Sequence, residues 1–383
     1  MAGCYLHIPF CRQACYYCNF HFSTSLRLMD EMVQALCREI QLQASAWHNH
    51  RFETIYFGGG TPSLLSASQL QQLLETIYRF YEVSADAEIT LEANPDDMDH
   101  HKLATWKQAG INRLSIGVQA LSDQLLRALH RSHDARQAKE SVLLALDQGF
   151  ERISVDLIYG IPGLTDACWE KEIETFISLH VPHLSCYALT VEPQTALDHL
   201  IRKHQFPSVE DEQAARQYLM LLDRMEAAGY EAYEISNFAR PGHRSRHNSL
   251  YWQGIPYLGI GPSAHSYQPP IRRWNIAHNL KYLQSIRQDQ IPFEEEYLTP
   301  TMQYNEYVML HLRTMEGVDE EALALYFGKA YVNYFQQQIQ PWIHTCHVIH
   351  QSSHYTLSKT GRLFADRIAA ALFAEDADLH TKD

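Results

Sequence analysis

Three cysteines near the N-terminus have the spacing of a metal or cluster site. Cys11, Cys15 and Cys18 form a C-x3-C-x2-C pattern directly after a short apolar run at residues 3–8. A strand that ends there would lead the chain into a tight loop and aim three thiolates at one point. An iron–sulfur cube needs four ligands, so three protein sulfurs would leave one corner open to a small molecule. The pattern therefore favours an iron–sulfur cluster with one open coordination position.

A closed zinc site is the alternative, because His21 follows the cysteines and zinc accepts tetrahedral sulfur and nitrogen ligands. Local spacing leaves this Cys3His site open, and with it a different functional class, a zinc-stabilised interaction module. A disulfide framework is disfavoured in a chain of 383 residues with 8 Cys and no recognisable signal peptide. We expect reduced thiols and a cytoplasmic location.

Composition argues against two broad classes of function. The chain is 46% hydrophobic and 20% charged, which is typical of a soluble globular protein. No stretch approaches the roughly 20 apolar residues of a membrane span, so we expect no transmembrane segment. The net charge of −14 disfavours nucleic acid as a partner, because phosphate binding needs a concentrated positive surface. An acidic surface with scattered aromatic residues is compatible with a monomer or a weak dimer.

A repeated strand–helix rhythm up to about residue 230 would position the cysteines. The predicted strands are 3–8, 53–57, 87–92, 112–118, 152–158 and 183–189. The predicted helices between and after them are 26–46, 66–81, 99–109, 121–130, 134–149 and 166–180. Such alternation is typical of parallel strands with right-handed crossovers. Six units are fewer than the eight of a closed barrel, so we expect an α/β fold with an open, partial (β/α)6 barrel.

Polar and glycine residues follow these strands at the end where α/β barrels carry out their chemistry. The second strand leads into Gly58-Gly59-Gly60-Thr61-Pro62, where residues without side chains let a ligand approach the backbone. The later strands lead to Glu92, to Gly117-Val118-Gln119 and to Asp156, and Arg131 follows shortly after the fourth strand. Together these residues predict one pocket, with carboxylates suited to an amine and to ribose hydroxyls.

These motifs resemble the radical S-adenosylmethionine (SAM) superfamily and, within it, the oxygen-independent coproporphyrinogen III oxidase group. The resemblance includes His7-Ile8-Pro9-Phe10-Cys11 and Asp156-Leu157-Ile158-Tyr159-Gly160-Ile161-Pro162 and covers nearly the whole chain. It implies a [4Fe-4S] cluster at the three cysteines, which binds SAM at its open iron and cleaves it to a 5'-deoxyadenosyl radical. The implied cofactor-binding residues are Tyr5, Tyr17, Gly59, Gly60, Thr61, Glu92, Gln119, Arg131, Asp156 and Ala188.

Charge assigns roles to three of these residues. Glu92 would hold the methionine ammonium of SAM, Arg131 its carboxylate, and Asp156 the ribose hydroxyls.

Two departures separate this chain from the decarboxylating oxidases. Those enzymes have a fourth cysteine two positions after the third, where this chain has Phe20, and a long N-terminal arm, whereas ten residues precede Cys11 here. Both features look catalytic in the oxidases, so enzymatic coproporphyrinogen oxidation is in doubt. The resemblance is instead to the heme-chaperone branch of the group. We expect binding of heme and its delivery to an unidentified acceptor protein, with oxidative decarboxylation of coproporphyrinogen III as the alternative.

An H-N-x-x-Y-W motif in the second half resembles the heme-associated motif of that branch. Its members are His247, Asn248, Tyr251 and Trp252. A histidine can be an axial iron ligand, and aromatic rings offer flat faces to a porphyrin, although the same residues also suit an apolar core. The arginines that could neutralise heme propionates are Arg240, Arg244, Arg246, Arg272 and Arg273.

The chain divides into three predicted parts. Residues 1–235 would form the barrel with the cluster and SAM site, and residues 236–298 a connecting segment with the heme motif. Residues 299–383 would form a mainly helical, winged-helix-like domain. Helices are predicted at 302–315, 318–327, 330–341 and 361–373, with a hairpin at 344–350 and 353–357. The segment has no basic recognition helix, so we interpret it as a cap or docking domain that does not bind DNA.

Overall fold

Six parallel strands, adjacent in chain order, form the centre of the fold. The computed structural model describes residues 1–375, and the remaining eight residues of the predicted 299–383 domain lie outside them. The strands are β1 (Ala2–Ile8), β2 (Arg51–Gly59), β3 (Glu82–Ala93), β4 (Arg113–Gln119), β5 (Ile153–Tyr159) and β6 (His183–Ala188). Each lies within a few residues of its predicted position, because a buried parallel strand needs a continuous apolar run that the sequence shows directly.

Helices connect these strands and pack against them. They are α1 (Met29–Trp47), α2 (Ala67–Phe80), α3 (His100–Ala109), α4 (Asp123–Ala128), α5 (Ala135–Asp147) and α6 (Asp166–Ser178). Ser66 and Asp134 begin α2 and α5 with capping boxes, which satisfy backbone N–H groups at the helix start. Short 3-10 turns lie at Leu26–Leu28, Pro62–Leu64, Pro95–Asp97 and Gly361–Phe364. The predicted α/β partial barrel is confirmed.

Further strands extend the sheet on both sides. The elements after β6 are α7 (Ala196–Arg202), α8 (Asp211–Ala227), β7 (Glu231–Ala232), β8 (Asn237–Ala239), α9 (Arg246–Trp252), β9 (Tyr257–Ile260), β10 (His265–Gln268), β11 (Ile271–Asn275), α10 (Asn279–Ile286) and β12 (Phe293–Tyr297). The 12-stranded sheet has the order β12-β11-β10-β9-β1-β2-β3-β4-β5-β6-β8-β7. Strand β9 lies parallel to β1, with Gly3 opposite Tyr257. The sheet remains open, with β12 and β7 at its edges.

The C-terminal part has its own apolar core. Its elements are α11 (Pro300–Leu312), β13 (Val318–Asp319), α12 (Glu320–Phe327), α13 (Lys329–His344), β14 (Val348–Gln351), β15 (His354–Leu357) and α14 (Ala365–Ala371). The predicted hairpin is part of a three-stranded sheet, because the buried Val318 pairs with Tyr355. Phe335, Ile339 and Ile368 lie in the core of this part.

Hydrogen bonds join the C-terminal part to the sheet. Arg362 donates to the carbonyl oxygens of Ala232 at 2.9 Å and Glu234 at 3.1 Å. The backbone N–H of Met315 donates to the Tyr233 carbonyl at 3.0 Å. Among residues 1–375, no helix is both long enough and apolar enough to cross a membrane.

Candidate functional site

The cysteine loop begins directly after β1 and is held by backbone hydrogen bonds. The N–H of Cys11 donates to the Ser23 carbonyl at 3.0 Å, and that of Cys18 donates to the Cys15 carbonyl at 3.2 Å. Side chains from other elements approach the sulfur atoms. Thr61 Oγ1 lies 3.4 Å from Cys11 Sγ, and Arg131 Nη1 lies 3.3 Å from Cys15 Sγ. These donors favour the thiolate form, which is the form that binds metal.

The three thiols fit a cluster better than they fit a closed zinc site. All three line one cavity, whereas His21 does not line it and instead hydrogen-bonds Asn279 Oδ1 through Nε2 at 2.7 Å. Within residues 1–375, no group of three or more His, Cys, Asp or Glu side chains is arranged to hold a single metal ion. Burial raises the pKa of Cys11 to about 11, so its thiolate needs the positive charge that a bound metal or cluster would supply.

The glycines after β2 bring its backbone against the start of the cysteine loop. Gly59 has a φ of +104°, and a Cβ there would lie 2.5 Å from the His7 ring. A Cβ on Gly60 would lie 2.5 Å from the Phe10 carbonyl oxygen. Only glycine allows this approach, so the cavity wall beside the cysteines consists of bare backbone.

Two buried carboxyl groups face the cavity. Glu92 accepts hydrogen bonds from Tyr56 Oη at 2.9 Å and from the Gly59 N–H at 3.1 Å. Asp156 accepts from Ser115 Oγ, at 3.1 Å for the shorter contact. Burial raises the pKa of Glu92 to about 7 and that of Asp156 to about 6. A cationic or hydroxyl-bearing ligand that contacted them would favour their ionised forms.

Arg131 joins the cysteine loop to the rim of the barrel. Besides the contact with Cys15, its Nη2 donates to Asn94 Oδ1 and to the Gly117 carbonyl, both at 2.7 Å. Its buried Nε has no hydrogen-bond partner in the part of the chain that the structure describes. The guanidinium therefore holds three elements together, the cysteine loop, the turn after β3 and strand β4.

One cavity of about 640 Å³ collects the predicted cofactor residues. All of them except Tyr5 line it. Tyr5 lies behind the lining, where its ring stacks on Tyr56 with centroids 6.0 Å apart and its hydroxyl hydrogen-bonds His7 Nδ1 at 3.2 Å. The cavity also has lining residues that the sequence analysis did not select, namely Tyr56, Arg113, Ser154, Ser185 and Tyr187. The period-2 alternation of β4, read back from Gln119, would have pointed to Arg113.

The four residues of the H-N-x-x-Y-W motif all lie in α9, but they face different surroundings. Asn248 lines the cavity, whereas the other three do not. His247 is buried and engaged at both ring nitrogens, with Thr54 Oγ1 at 2.7 Å and Tyr251 Oη at 2.8 Å. Its ring also stacks on Tyr56 at 4.9 Å. This geometry favours a structural role for His247 over iron ligation.

Four of the arginines proposed for propionates form ion pairs with carboxylates of the chain. Arg244 pairs with Glu231 and Glu316, and Arg246 pairs with Glu53 and Asp86. Arg272 and Arg273, on β11, pair with glutamates of α11 and β12. The fifth, Arg240, lies over the Tyr230 ring. The four paired arginines therefore already have carboxylate partners in this conformation.

Comparison with known proteins gives a consistent relationship. Residues 5–176 match the family model for the radical SAM superfamily, and residues 298–364 match that for the HemN C-terminal domain. The chain is 35% identical over 378 residues to the protein "Heme chaperone HemW" of Bacillus subtilis, covering 98% of this chain and 100% of that one. It is 31% identical to the protein of the same name from Escherichia coli, covering 97% and 98%.

A solved structure has the same fold. Coproporphyrinogen III oxidase (HemN) from Escherichia coli, described as a radical SAM enzyme, superposes with a TM-score of 0.84 at 23% identity, covering 97% of this chain and 90% of that one. At this identity the likeness concerns the fold alone. The sequence relationship extends through both the barrel and the C-terminal part, and the chain therefore belongs to the HemW family within the radical SAM superfamily.

Proposed function

We propose that this protein is a cytoplasmic heme chaperone, which binds heme and transfers it to an acceptor protein. The observation that carries the proposal is the 35% identity to a protein named as a heme chaperone over 98% of the chain. A relationship of that extent includes the barrel, the sheet extension and the C-terminal part, so it supports a shared function of the whole chain.

In this proposal the cavity holds a cluster and SAM. Cys11, Cys15 and Cys18 would ligate a [4Fe-4S] cluster, whose chemistry is electron transfer to bound SAM. Glu92 would hold the SAM ammonium, and Asp156 the ribose hydroxyls. Arg131 would stabilise the thiolate of Cys15 and present its guanidinium, which lines the cavity, to the SAM carboxylate. The bare backbone at Gly59 and Gly60 would let the ligand lie flat against the wall.

Phe20 supports heme handling over porphyrinogen oxidation. It stands where the oxidase group has its fourth cysteine, its side chain is 66% exposed, and it lines the cavity beside Phe22. An exposed phenyl ring at the edge of a cavity costs hydration free energy in the free protein and can recover it by packing on a flat apolar ligand. We propose that the porphyrin face packs on Phe20.

The cluster is tested by anaerobic reconstitution with iron and sulfide. The expected product is brown and carries about four irons per chain, as the cluster stoichiometry requires. Colourless protein that retains one zinc per chain would instead establish the Cys3His alternative.

The heme contact is tested by anaerobic hemin titration of Phe20→Ala against the wild type. Loss of one large aromatic contact should weaken hemin binding by about 5–10-fold, equivalent to about 1–1.4 kcal/mol. Tyr78→Ala is the matched control, because Tyr78 is half exposed but lies on α2 away from the cavity. Equal hemin affinity in Phe20→Ala and Tyr78→Ala would remove Phe20 from the proposal.

A further inference from the structure

Arg113 is a buried cation without a hydrogen-bond or ion-pair partner among residues 1–375. It is the first residue of β4, and its side chain is 2% exposed. Its guanidinium forms no hydrogen bond or ion pair with any residue of the described range 1–375, yet it lines the cavity. An arginine keeps its charge in proteins, and a buried charge is costly unless it is paired. The side chain therefore presents a positively charged guanidinium without an ion-pair partner to the cavity.

Arg113 lies further from the cluster end of the barrel than Gly117 and Gln119 do, at the other end of strand β4. Inward-facing residues of β4 are Arg113, Ser115, Gly117 and Gln119, and all four line the cavity. A strand rises about 3.3 Å per residue, which places Arg113 about 13 Å below Gly117 along β4. Arg131 contacts the Gly117 carbonyl at the upper level, beside the cysteines. The lumen thus has one arginine at its cluster end and another at its floor.

Hydroxyl and amide groups line the cavity between the levels of Arg113 and Gly117. Ser154 and Ser185 bond to each other at 2.9 Å, and Ser154 also bonds His183 Nδ1 at 2.8 Å. Ser245 and Asn248 contribute polar groups to the cavity lining. The charge of Arg113 acts on Asp156, but the Asp156 carboxyl accepts hydrogen bonds from Ser115 at 3.1 Å and Ser154 at 3.4 Å and forms no ion pair with Arg113. The cavity beside Arg113 is therefore polar and carries a positive charge.

We propose that Arg113 anchors a second subsite at the floor of the lumen, which binds the carboxylate of an organic ligand while SAM occupies the upper part. A guanidinium fork matches one carboxylate through two parallel hydrogen bonds. One arginine carries a single positive charge, and the Asp156 carboxyl in electrostatic reach would repel further negative charge, so a monoanionic carboxylate fits better than a phosphate dianion. Ser154 and Ser185 line the same cavity and make its wall polar on the neighbouring strands β5 and β6.

Two sources could supply this carboxylate, a propionate arm of a porphyrin or a free small carboxylate. The first rests on the proposed heme function, whereas the second does not depend on it. Full-length reconstituted protein with SAM is titrated with hemin, with hemin dimethyl ester and with succinate. The variants are Arg113→Met, which keeps most of the volume and removes the charge, and the exposed control Arg79→Met on α2.

The expected result is a tenfold or greater loss of affinity in Arg113→Met for at least one carboxylate probe, and no loss in Arg79→Met. A loss for hemin but not for its dimethyl ester identifies the propionate arm, and a loss for succinate identifies a free carboxylate. Failure of the wild type to bind hemin would contradict the proposed function. The subsite would then be tested by the succinate titration alone. Hemin and succinate affinities that do not depend on Arg113 would overturn the subsite.

Stability without ligand separates the subsite from a purely structural role. Removing an unpaired buried charge should leave the urea midpoint of Arg113→Met equal to or above that of the wild type, whereas removing a structural counter-ion of Asp156 would lower it. If Arg113→Met does not fold, the affinity measurements are repeated with Arg113→Lys. This variant retains the positive charge but cannot form the two parallel hydrogen bonds of a guanidinium. Wild-type affinity for all probes in Arg113→Lys would then overturn the subsite.

Discussion

Arg131 Nη1 lies 3.3 Å from Cys15 Sγ, so a guanidinium from the loop after α4 donates to a predicted cluster ligand on the loop after β1. Donors to a ligand sulfur tune its basicity and fix its orientation. The cysteine loop is thus tied to the rim of the barrel through a charge-assisted contact as well as through the backbone.

The first prediction concerns this contact. Arg131→Gln should weaken cluster binding by about 10–100-fold, as is usual for residues that support metal ligands. The measurement is iron content and visible absorbance after anaerobic reconstitution at limiting iron. Arg127→Gln, exposed on α4, is the matched control and should load fully. Full loading of Arg131→Gln would show that the contact with Cys15 does not support the cluster.

The second prediction compares two glycines with positive φ. Gly59→Ala and Gly242→Ala both place an alanine in a left-handed conformation, at φ +104° and +82°. The new Cβ meets the His7 ring at 2.5 Å in the first variant and nothing within 4 Å in the second. Gly59→Ala should therefore lose about 1–3 kcal/mol more unfolding free energy, the usual cost of overpacking. Urea unfolding of both variants measures the difference. Equal losses would mean that the His7 ring moves freely.

The third prediction is a pH dependence of stability. Burial raises the pKa of Glu172 to about 7, opposed by a hydrogen bond from the Leu121 N–H. Between about pH 4.3, the ordinary glutamate value, and pH 7, the folded chain keeps a proton that the unfolded chain releases. Stability therefore falls as pH rises through this window, by at most about 1.4 kcal/mol per pH unit from this group.

Glu172→Gln should reduce this fall, because it removes the titrating carboxyl and keeps an acceptor for Leu121. The measurement is urea unfolding at pH 5 and pH 8, and the compared quantity is the difference between the two free energies. Glu174→Gln, exposed on the same helix, is the control and should retain the wild-type difference. An unchanged difference in Glu172→Gln would show that Glu172 is ionised in the folded chain throughout this range.

The fourth prediction concerns His247. Removing its ring leaves the buried hydroxyl of Thr54 and the Tyr251 hydroxyl without their partner, so His247→Ala should cost roughly 2–4 kcal/mol of unfolding free energy. The absorbance maximum of bound heme should stay where it is in the wild type. The surface variant His101→Ala is the control for stability. A folded His247→Ala protein with a shifted heme spectrum would make His247 an iron ligand.

Sequence reasoning worked where local pattern determines structure. The strands up to β6 are buried runs separated by amphipathic helices, and the residues after them necessarily meet at one edge of a parallel sheet. For this reason the sequence alone predicts one pocket that includes Gly59, Glu92, Gln119 and Asp156. The fold and the family were confirmed, whereas the roles of these residues remain proposals.

The features that were missed depend on contacts distant in sequence. Strand β9 lies in a stretch rich in glycine and proline, and it exists because it pairs with β1 more than 240 residues earlier. Gly259 permits this packing, since a Cβ there would lie 2.1 Å from the His265 carbonyl oxygen. Arg113 was passed over because an arginine at the start of a strand is usually solvated. Only the inward alternation of β4 places it in the lumen.

The most direct test of the account is an anaerobic hemin titration of the reconstituted protein, with iron analysis before and after, beside an assay of the same preparation with SAM, reductant and coproporphyrinogen III. The account predicts saturable hemin binding with the cluster retained and no formation of protoporphyrinogen. Formation of protoporphyrinogen without saturable hemin binding would contradict it and establish the oxidase alternative.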